Sequence, residues 1–588
     1  MNTFKILYED KAHEAVFRIV GKRLTDRGLR ESEDAALCIR LLTDPTLRTD
    51  SFRLVGEGGA ITVSADCTLN LLAGCGYLLL NSRFDEDGIV LTDKRGTVCP
   101  DCHARGLYMA THFHTYYTTA PIGEVLTYVE DMALIGISEL YFPMPAVNLT
   151  NASEEQRRAA FLRCAEVMKY ARSLGMRLIG SLSTGIVPNA PKELLATPIP
   201  DEMHKRGNAG IKVCPVKGQA FLDEYNRNSL QEYKDAGIVF DVLSTFPYDE
   251  GGCGCKECDP WGAVGYLRAA KSGLAVAREF YPDAKLNLST WLFDYPDKGE
   301  WRALFDSLQT ERWAAYIEAD SHDAFPRYPL EHEIPEGVIL RAFPEITMWG
   351  LWPWGGYGAH FFPHRYTGIW RSTAGKLGGG RMYSEGIFED LNKYTVACLY
   401  RDYNADPDEG AKQYGAYFCG CNDGEAFAEL VRCIETNTVR CATSTAVISM
   451  TKETNKSDFS LAERAFALAK QIDASLPDWG KRNFRWRLIY LRAVIDFYRY
   501  QNVILHECAP VREAMEEIAG IYYCLKDYRI ADDPFHLKLR PPLPIYDPDF
   551  RPEDYTNIGS LQMAYGAGLI LGCEGGARTA TVTAANQA

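Results

Sequence analysis

The chain has 588 residues, of which 46% are hydrophobic, 24% charged and 12% aromatic, a balance that buries full-sized cores and excludes a disordered or fibrous protein. Its formal net charge of −15 argues against the basic surface that a phosphate backbone requires, so no nucleic-acid partner is expected. No stretch approaches the roughly 20 apolar residues that span a bilayer, and Met1 to Asp10 lacks a basic segment followed by an apolar one. The expectation is a soluble, cytoplasmic protein without a membrane partner; a secreted chain whose leader has been removed reads the same.

The 18 cysteines are spread over a long chain without the density of a secreted disulfide scaffold, so most read as reduced thiols or metal ligands, as in a cytosolic bacterial protein. About 150 residues per domain gives about four domains, but a barrel takes about 250 or more as one unit. Three domains and a tail are expected.

Residues 1–98 read as a small α/β unit. "FKILYED", "SFRLV" and "AITVSA" have strand character, and "TLNLLAGCGYLLL" reads as a buried helix. Ala73, Gly74 and Gly76 in that helix imply close packing on a sheet. The chain then turns through "TVCPDCHARG".

Over 99–400, short apolar runs alternate with longer amphipathic ones, the pattern of β-α units around a parallel sheet. Strands are expected at "GLYMA", "SELYFP", "MRLIGSL", "GIVFDVLSTF", "KLNLSTWLF", "WAAYIEAD", "VILRAF" and "GRMYSEG". Helices fall between most of them, including Glu154 to Ser173, Gln219 to Asp235 and Gly262 to Phe280. The fold class is α/β: a (β/α)8 TIM barrel, irregular in its seventh unit, behind a small N-terminal α/β domain. Residues 401–575 carry apolar positions at helical spacing, as in "AFALAKQIDASL" and "FRWRLIYLRAVIDFYRYQNVIL", and read as a helical C-terminal domain. Residues 576–588 read as a flexible tail.

A barrel of this kind works at the C-terminal ends of its strands. After the fourth strand stands "STFPYDEGGCGCKECDPWG", where Tyr248, Asp249 and Glu250 run into two glycines that let the backbone turn. Two close carboxylates push one pKa upward, which suits a general acid; a solvated acidic turn is the alternative. The eighth strand ends at Tyr383 and Glu385, with Glu389 and Asp390 a turn further on; Glu385 either binds a ligand or caps the next helix.

"EITMWGLWPWGGYGAHFFPHRYTGIW" holds four of the ten tryptophans, Trp349, Trp352, Trp354 and Trp370. Proline and glycines break this run, so it reads as a loop. Flat rings on a barrel rim suit the C–H faces of a sugar, and a hydrophobic lid or dimer contact is the alternative, which keeps a homo-oligomer open. Trp291 closes the fifth strand. His112 and His114 share one side of the extended segment after the first strand, for substrate contact, a structural role or a metal lacking a third ligand. Glu318, Asp320 and His322 after the sixth strand are further rim candidates.

Cys253, Cys255 and Cys258 have a spacing at which thiolates hold one tetrahedral zinc, with Cys214, after the third strand, as the fourth ligand on the same rim. Reduced thiols or a disulfide are the alternatives. Cys99 and Cys102 precede the first strand and belong at the other end of the barrel.

Three features resemble the β-N-acetylhexosaminidases of glycoside hydrolase family twenty: a small α/β domain before the barrel, Arg105-Gly106 opening it, and Asp249-Glu250 after the fourth strand. "MYSEG" is similar to the aromatic-x-Glu that contacts the sugar in that family. "YDEGGCGCKEC" and "EGIFEDLNKY" also resemble broader relatives of hexosaminidases and α-glucuronidases found in gut bacteria. In the hexosaminidases an arginine after the first strand grips the sugar, whereas here that stretch is "THFHTYY".

The resemblance implies a retaining exo-glycosidase acting on an oligosaccharide or glycoconjugate, in which the substrate's acetamido oxygen attacks the anomeric carbon. Glu250 would be the general acid and Asp249 would orient the acetamido group. Tyr248 or another rim tyrosine would bind the acetamido oxygen and the tryptophans would enclose its methyl. No cofactor is required for that chemistry, and the zinc would be structural. Two alternatives stay open: a glycosidase on a uronic acid or neutral hexose using Glu250 and Glu385, and an inactive carbohydrate-binding barrel.

Overall fold

The structure, a computed structural model, describes residues 1–85, 87–111, 116–144, 153–187, 189–200, 212–248, 251–321, 324–346, 359, 361–384, 386–437, 459–501 and 508–522. The N-terminal unit contains β1 (Thr3–Leu7), β2 (Arg30–Glu31), β3 (Leu37–Thr43), β4 (Phe52–Glu57) and β5 (Ala60–Ala65), then the pair β6 (Arg83–Asp85) and β7 (Gly88–Val90), and β8 (Gly96–Val98). Six of these form one sheet in the order β2-β1-β3-β5-β4-β8, parallel from β2 to β5 and antiparallel from β5 to β8. The three N-terminal strands expected from sequence are present, and β3 joins them at the centre of the sheet. The alternation of Leu37, Ile39 and Leu41, all buried, is the signal for it.

The helix Thr68–Leu80 is buried almost all round because two surfaces clamp it. A Cβ on Gly74 would lie 2.8 Å from the Val63 side chain of β5, and one on Gly76 would lie 1.8 Å from the Leu134 carbonyl oxygen. Gly74 therefore meets the sheet, as the small-residue pattern implies. Gly76 lets the N-terminal unit approach the backbone of the helix Ile122–Leu134.

Eight parallel strands close the second unit: β9 (Ala104–Met109), β10 (Glu139–Tyr141), β11 (Arg177–Ser181), β12 (Val242–Thr245), β13 (Lys285–Ser289), β14 (Tyr316–Asp320), β15 (Ile339–Phe343) and β16 (Gly379–Ser384). β16 returns to pair with β9 from Gly379↔Ala104 to Ser384↔Met109, which completes a (β/α)8 barrel. Each of the eight runs read as strands contributes one of them. The helix Glu154–Ser173 has the bounds the sequence predicts, while Pro215–Asp235 starts four residues before the expected Gln219 and Gly265–Phe280 starts three after the expected Gly262.

Beyond the barrel come the helices Pro407–Tyr414, Gly424–Asn437, Phe459–Ser475, Phe484–Tyr500 and Ala509–Tyr522. Among the described residues no helix is long and apolar enough to cross a membrane.

One buried charge network joins the three parts of the chain. Asp131, on the barrel helix Ile122–Leu134, accepts from Arg23 Nε of the N-terminal unit at 2.9 Å and from Arg485 Nη2 of the C-terminal helices at 2.9 Å. Arg485 also donates to Asp390 at 2.5 Å, and Asp390 accepts from the Tyr128 and Tyr414 hydroxyls at 2.5 and 2.9 Å. Burial opposes ionisation of Asp131, but the two guanidiniums outweigh it and hold its carboxyl below the usual range.

Candidate functional site

Alternate residues of a barrel strand face inward, so the interior fills in layers. Low in the lumen, Glu139 of β10 pairs with Arg341 Nη1 of β15 at 3.0 Å and Arg177 Nη2 of β11 at 3.0 Å, and the Arg341 guanidinium lies 3.4 Å from the centre of the Tyr316 ring. Higher up, Arg381 of β16 donates from Nε to Glu318 Oε2 at 2.9 Å, from Nη2 to Glu318 Oε1, and from Nη2 to Ser244 Oγ at 3.1 Å.

Around this guanidinium stand Tyr108, Tyr141, Phe246 and Phe343, with ring centres 4.9 to 5.5 Å from it. Tyr383 completes the layer, its ring 5.0 Å from Tyr108 and 5.6 Å from Phe343. These five rings make an apolar floor below the C-terminal mouth. Of them only Tyr383 is a predicted site residue. Tyr108, Tyr141 and Phe343 are findable as every second residue of "GLYMA", "SELYFP" and "VILRAF", and Phe246 directly follows β12.

Two predicted contact residues, Glu318 and Tyr248, lie in the buried interior. Glu318 is not a rim residue: it lies in mid-strand in β14 with no solvent exposure, and Arg381 occupies both of its carboxylate oxygens. Tyr248 is fully buried, and its hydroxyl donates to the Glu300 carboxylate. Glu300 also accepts the Gly262 and Asp294 backbone N–H groups, each at 2.8 Å. Burial pushes the Glu300 carboxyl above its usual range despite these bonds.

Trp291 follows β13 by two residues and is half-buried against the core. His112, His114, Asp249, Glu250, Trp349, Trp352, Trp354 and Glu385 lie outside the described residues, as does His322.

The chain next to several of them is firmly held. Gly251 N–H donates to the Tyr248 carbonyl at 2.8 Å, with Gly251 at φ +80°, a conformation that favours glycine. A Cβ on Gly252 would lie 2.4 Å from the Trp261 ring, so that residue has room for no side chain. On either side of Glu385, Ser384 Oγ donates to Glu389 Oε1 at 2.6 Å and the Tyr117 hydroxyl donates to the Gly386 carbonyl at 2.6 Å. Lys393, wholly buried, donates to Gly386 O, Tyr128 Oη and Tyr117 Oη at 2.6, 2.8 and 2.9 Å. Burial lowers the Lys393 pKa against the opposing pull of Glu389 and Asp390.

The same rim brings together Cys214, Cys253, Cys255 and Cys258, whose sulfurs all lie within 4.8 Å of one another. Cys214 immediately precedes the helix Pro215–Asp235, and the other three follow β12. Cys214 Sγ is 3.8 Å from Cys255 Sγ and 3.8 Å from Cys258 Sγ, and all four are free thiols.

No family model matches the chain, and no curated protein matches it. Solved structures do share its fold. A family 89 glycoside hydrolase from Clostridium perfringens, in complex with its substrate GlcNAc-α-1,4-galactose, superposes with TM-score 0.59 at 13% identity, over 87% of this chain and 63% of that one. A GH115 4-O-methyl-α-glucuronidase with specificity for decorated arabinogalactans gives TM-score 0.54 at 9% identity, over 92% and 79% of the two chains. A GH138 enzyme targeting pectin rhamnogalacturonan II gives 0.52 at 10% identity, over 88% and 72%. The chain thus spans somewhat less than two thirds of the Clostridium enzyme's length.

Proposed function

We propose that the protein is a glycoside hydrolase, a retaining exo-β-N-acetylhexosaminidase-like enzyme that uses its substrate's acetamido group as the nucleophile. The observation that carries the reading is the closed barrel itself, whose fourth strand, β12, ends at Thr245, four residues before the adjacent acids Asp249 and Glu250. Residues just past a strand end are where such barrels carry their chemistry. Barrels host many reactions, and three neighbours in fold, all named as carbohydrate-active enzymes and one of them bound to a GlcNAc-containing substrate, support this one.

In this reading Glu250 protonates the leaving glycosidic oxygen while the acetamido oxygen attacks the anomeric carbon, and the C–O bond to the leaving group breaks. Glu250, now ionised, takes a proton from the water that opens the resulting oxazolinium ring and retains configuration. Asp249 orients the acetamido N–H and stabilises the positive charge that develops on the ring. The aromatic floor of Tyr108, Tyr141, Phe246, Phe343 and Tyr383 supplies apolar faces for sugar C–H groups, and Trp291, Trp349, Trp352 and Trp354 enclose the sugar from the rim. His112, His114 and Glu385 bind its hydroxyls.

A second reading draws on the α-glucuronidase neighbour and on Glu385, which directly follows the last residue of β16. There the sugar is a uronic acid or neutral hexose, and Glu250 and Glu385 act as the carboxylate pair.

The test is a panel of aryl glycosides comprising β-N-acetylglucosaminide, β-N-acetylgalactosaminide, β-galactoside and α-glucuronide, assayed with the wild type and Glu250→Gln. Release confined to the N-acetylated substrates and lost in the variant is the expected result. Release from a sugar without the acetamido group moves the reading to Glu250 and Glu385. Near wild-type turnover by Glu250→Gln would sink the assignment of the acid, and saturable sugar binding without turnover would make the protein a carbohydrate-binding barrel.

A further inference from the structure

We propose that Cys214, Cys253, Cys255 and Cys258 bind one zinc ion through four thiolates, clamping the segment after the fourth barrel strand to the start of the helix Pro215–Asp235. The inference is independent of the substrate and of the reaction.

Geometry carries it. A tetrahedral ion with metal–sulfur bonds of about 2.3 Å sets its sulfurs about 3.8 Å apart. Cys214 Sγ stands 3.8 Å from Cys255 Sγ and 3.8 Å from Cys258 Sγ, with all four sulfurs inside 4.8 Å. A disulfide instead needs about 2.05 Å between sulfurs.

The backbone presents the ligands from two separate stretches. Cys214 N–H donates to the Leu194 carbonyl at 2.9 Å, Gly254 N–H to the Thr197 carbonyl at 2.8 Å, and Cys258 N–H to the Cys255 carbonyl at 2.9 Å. Gly254 packs closely on the same stretch, where a Cβ would lie 3.0 Å from the Pro198 carbonyl oxygen. Thiols are weak hydrogen-bond donors and acceptors, so four of them converging return little by themselves for holding together positions 39 to 44 apart along the chain. A shared ion closes that long loop far more effectively.

Four sulfur donors select a soft tetrahedral ion over magnesium or calcium. With every position filled by protein, the site is structural. Binding replaces the thiol protons, which leave to solvent. Cys214, Cys253 and Cys258 are buried and Cys255 is partly exposed, which marks the side from which the ion enters.

The test is metal content of the full chain, purified under reducing conditions from zinc-supplied cells and measured by mass spectrometry. One zinc per chain is expected in the wild type and in the control Cys67→Ser, with at least a tenfold loss in Cys214→Ser and Cys255→Ser. Should either variant misfold by circular dichroism, cobalt exchange into the wild type decides: an intense sulfur-to-cobalt charge-transfer band with tetrahedral d–d bands supports the site. Less than a tenth of an equivalent of zinc in the reduced wild type, iron in place of zinc, no cobalt–sulfur band, or full zinc retained in a folded Cys214→Ser would each overturn it. None of these readouts depends on glycoside hydrolysis.

Discussion

Arg381 of β16 and Glu318 of β14 face each other across the barrel lumen in a two-pronged ion pair, neither side chain having any exposure to solvent. The guanidinium fork matches the carboxylate, and the aromatic rings around it keep water out. Burial disfavours the charge on Arg381, but Glu318 outweighs it and raises the pKa. The pair is the support beneath the aromatic floor, so its energetics bear on the site above.

Removing one member leaves the other buried without its counter-charge, which costs about 3–5 kcal/mol. Glu318→Ala is therefore expected to lower the free energy of unfolding by that amount, measured by urea titration. A loss below about 1 kcal/mol would mean that Arg381 finds another partner or water.

Asp131 makes stability depend on pH in a defined direction. Its carboxyl is held below the usual range by Arg23 and Arg485, against burial, so the folded protein favours the ionised form more than the unfolded chain does. That contribution is fully present above the ordinary carboxylate value of about 3.9 and is lost as pH falls through the depressed folded value. Asp131→Asn is expected to unfold about 3 kcal/mol more easily near neutral pH. The gap to wild type should narrow in acid, read from melting temperatures across the range, and a gap independent of pH would contradict the ion-pair account.

Gly76 gives a steric prediction. A methyl placed 1.8 Å from the Leu134 carbonyl oxygen forces the N-terminal unit and the barrel apart. Gly76→Ala should cost about 1–3 kcal/mol, detected as a lower urea midpoint. Gly123→Ala, on the partner helix with open space around its Cβ, should change stability by no more than about 0.5 kcal/mol. Equal effects of the two would remove close approach as the cause.

Tyr248→Phe separates a structural hydroxyl from a substrate-binding one. The Glu300 carboxylate loses its hydroxyl donor while keeping Gly262 and Asp294, so unfolding should become easier by about 1–3 kcal/mol. KM for any aryl glycoside the protein hydrolyses should stay within twofold of wild type. A large rise in KM with stability intact would return Tyr248 to the binding surface.

Much of this organisation is legible in the sequence because it is periodic. Alternating short apolar runs and amphipathic stretches between residues 99 and 400 announce a parallel barrel, and Glu154–Ser173 can be bounded to the residue. The order of strands along the chain also puts Cys214 on the same rim as Cys253, Cys255 and Cys258, since both stretches follow strand ends. Direction and rim are consequences of local pattern and connectivity.

Partnership is not local. Glu318 reads as a rim acid because it ends an apolar run, yet its partner Arg381 lies 63 residues away. Tyr248 reads as a ligand contact because it precedes two acids, yet its hydroxyl reaches Glu300, 52 residues on. Local periodicity announces the eight barrel strands and the order in which they follow one another. Which buried polar groups satisfy one another depends on the closed barrel, because the desolvation cost of an unmatched charge is set by whatever packs against it.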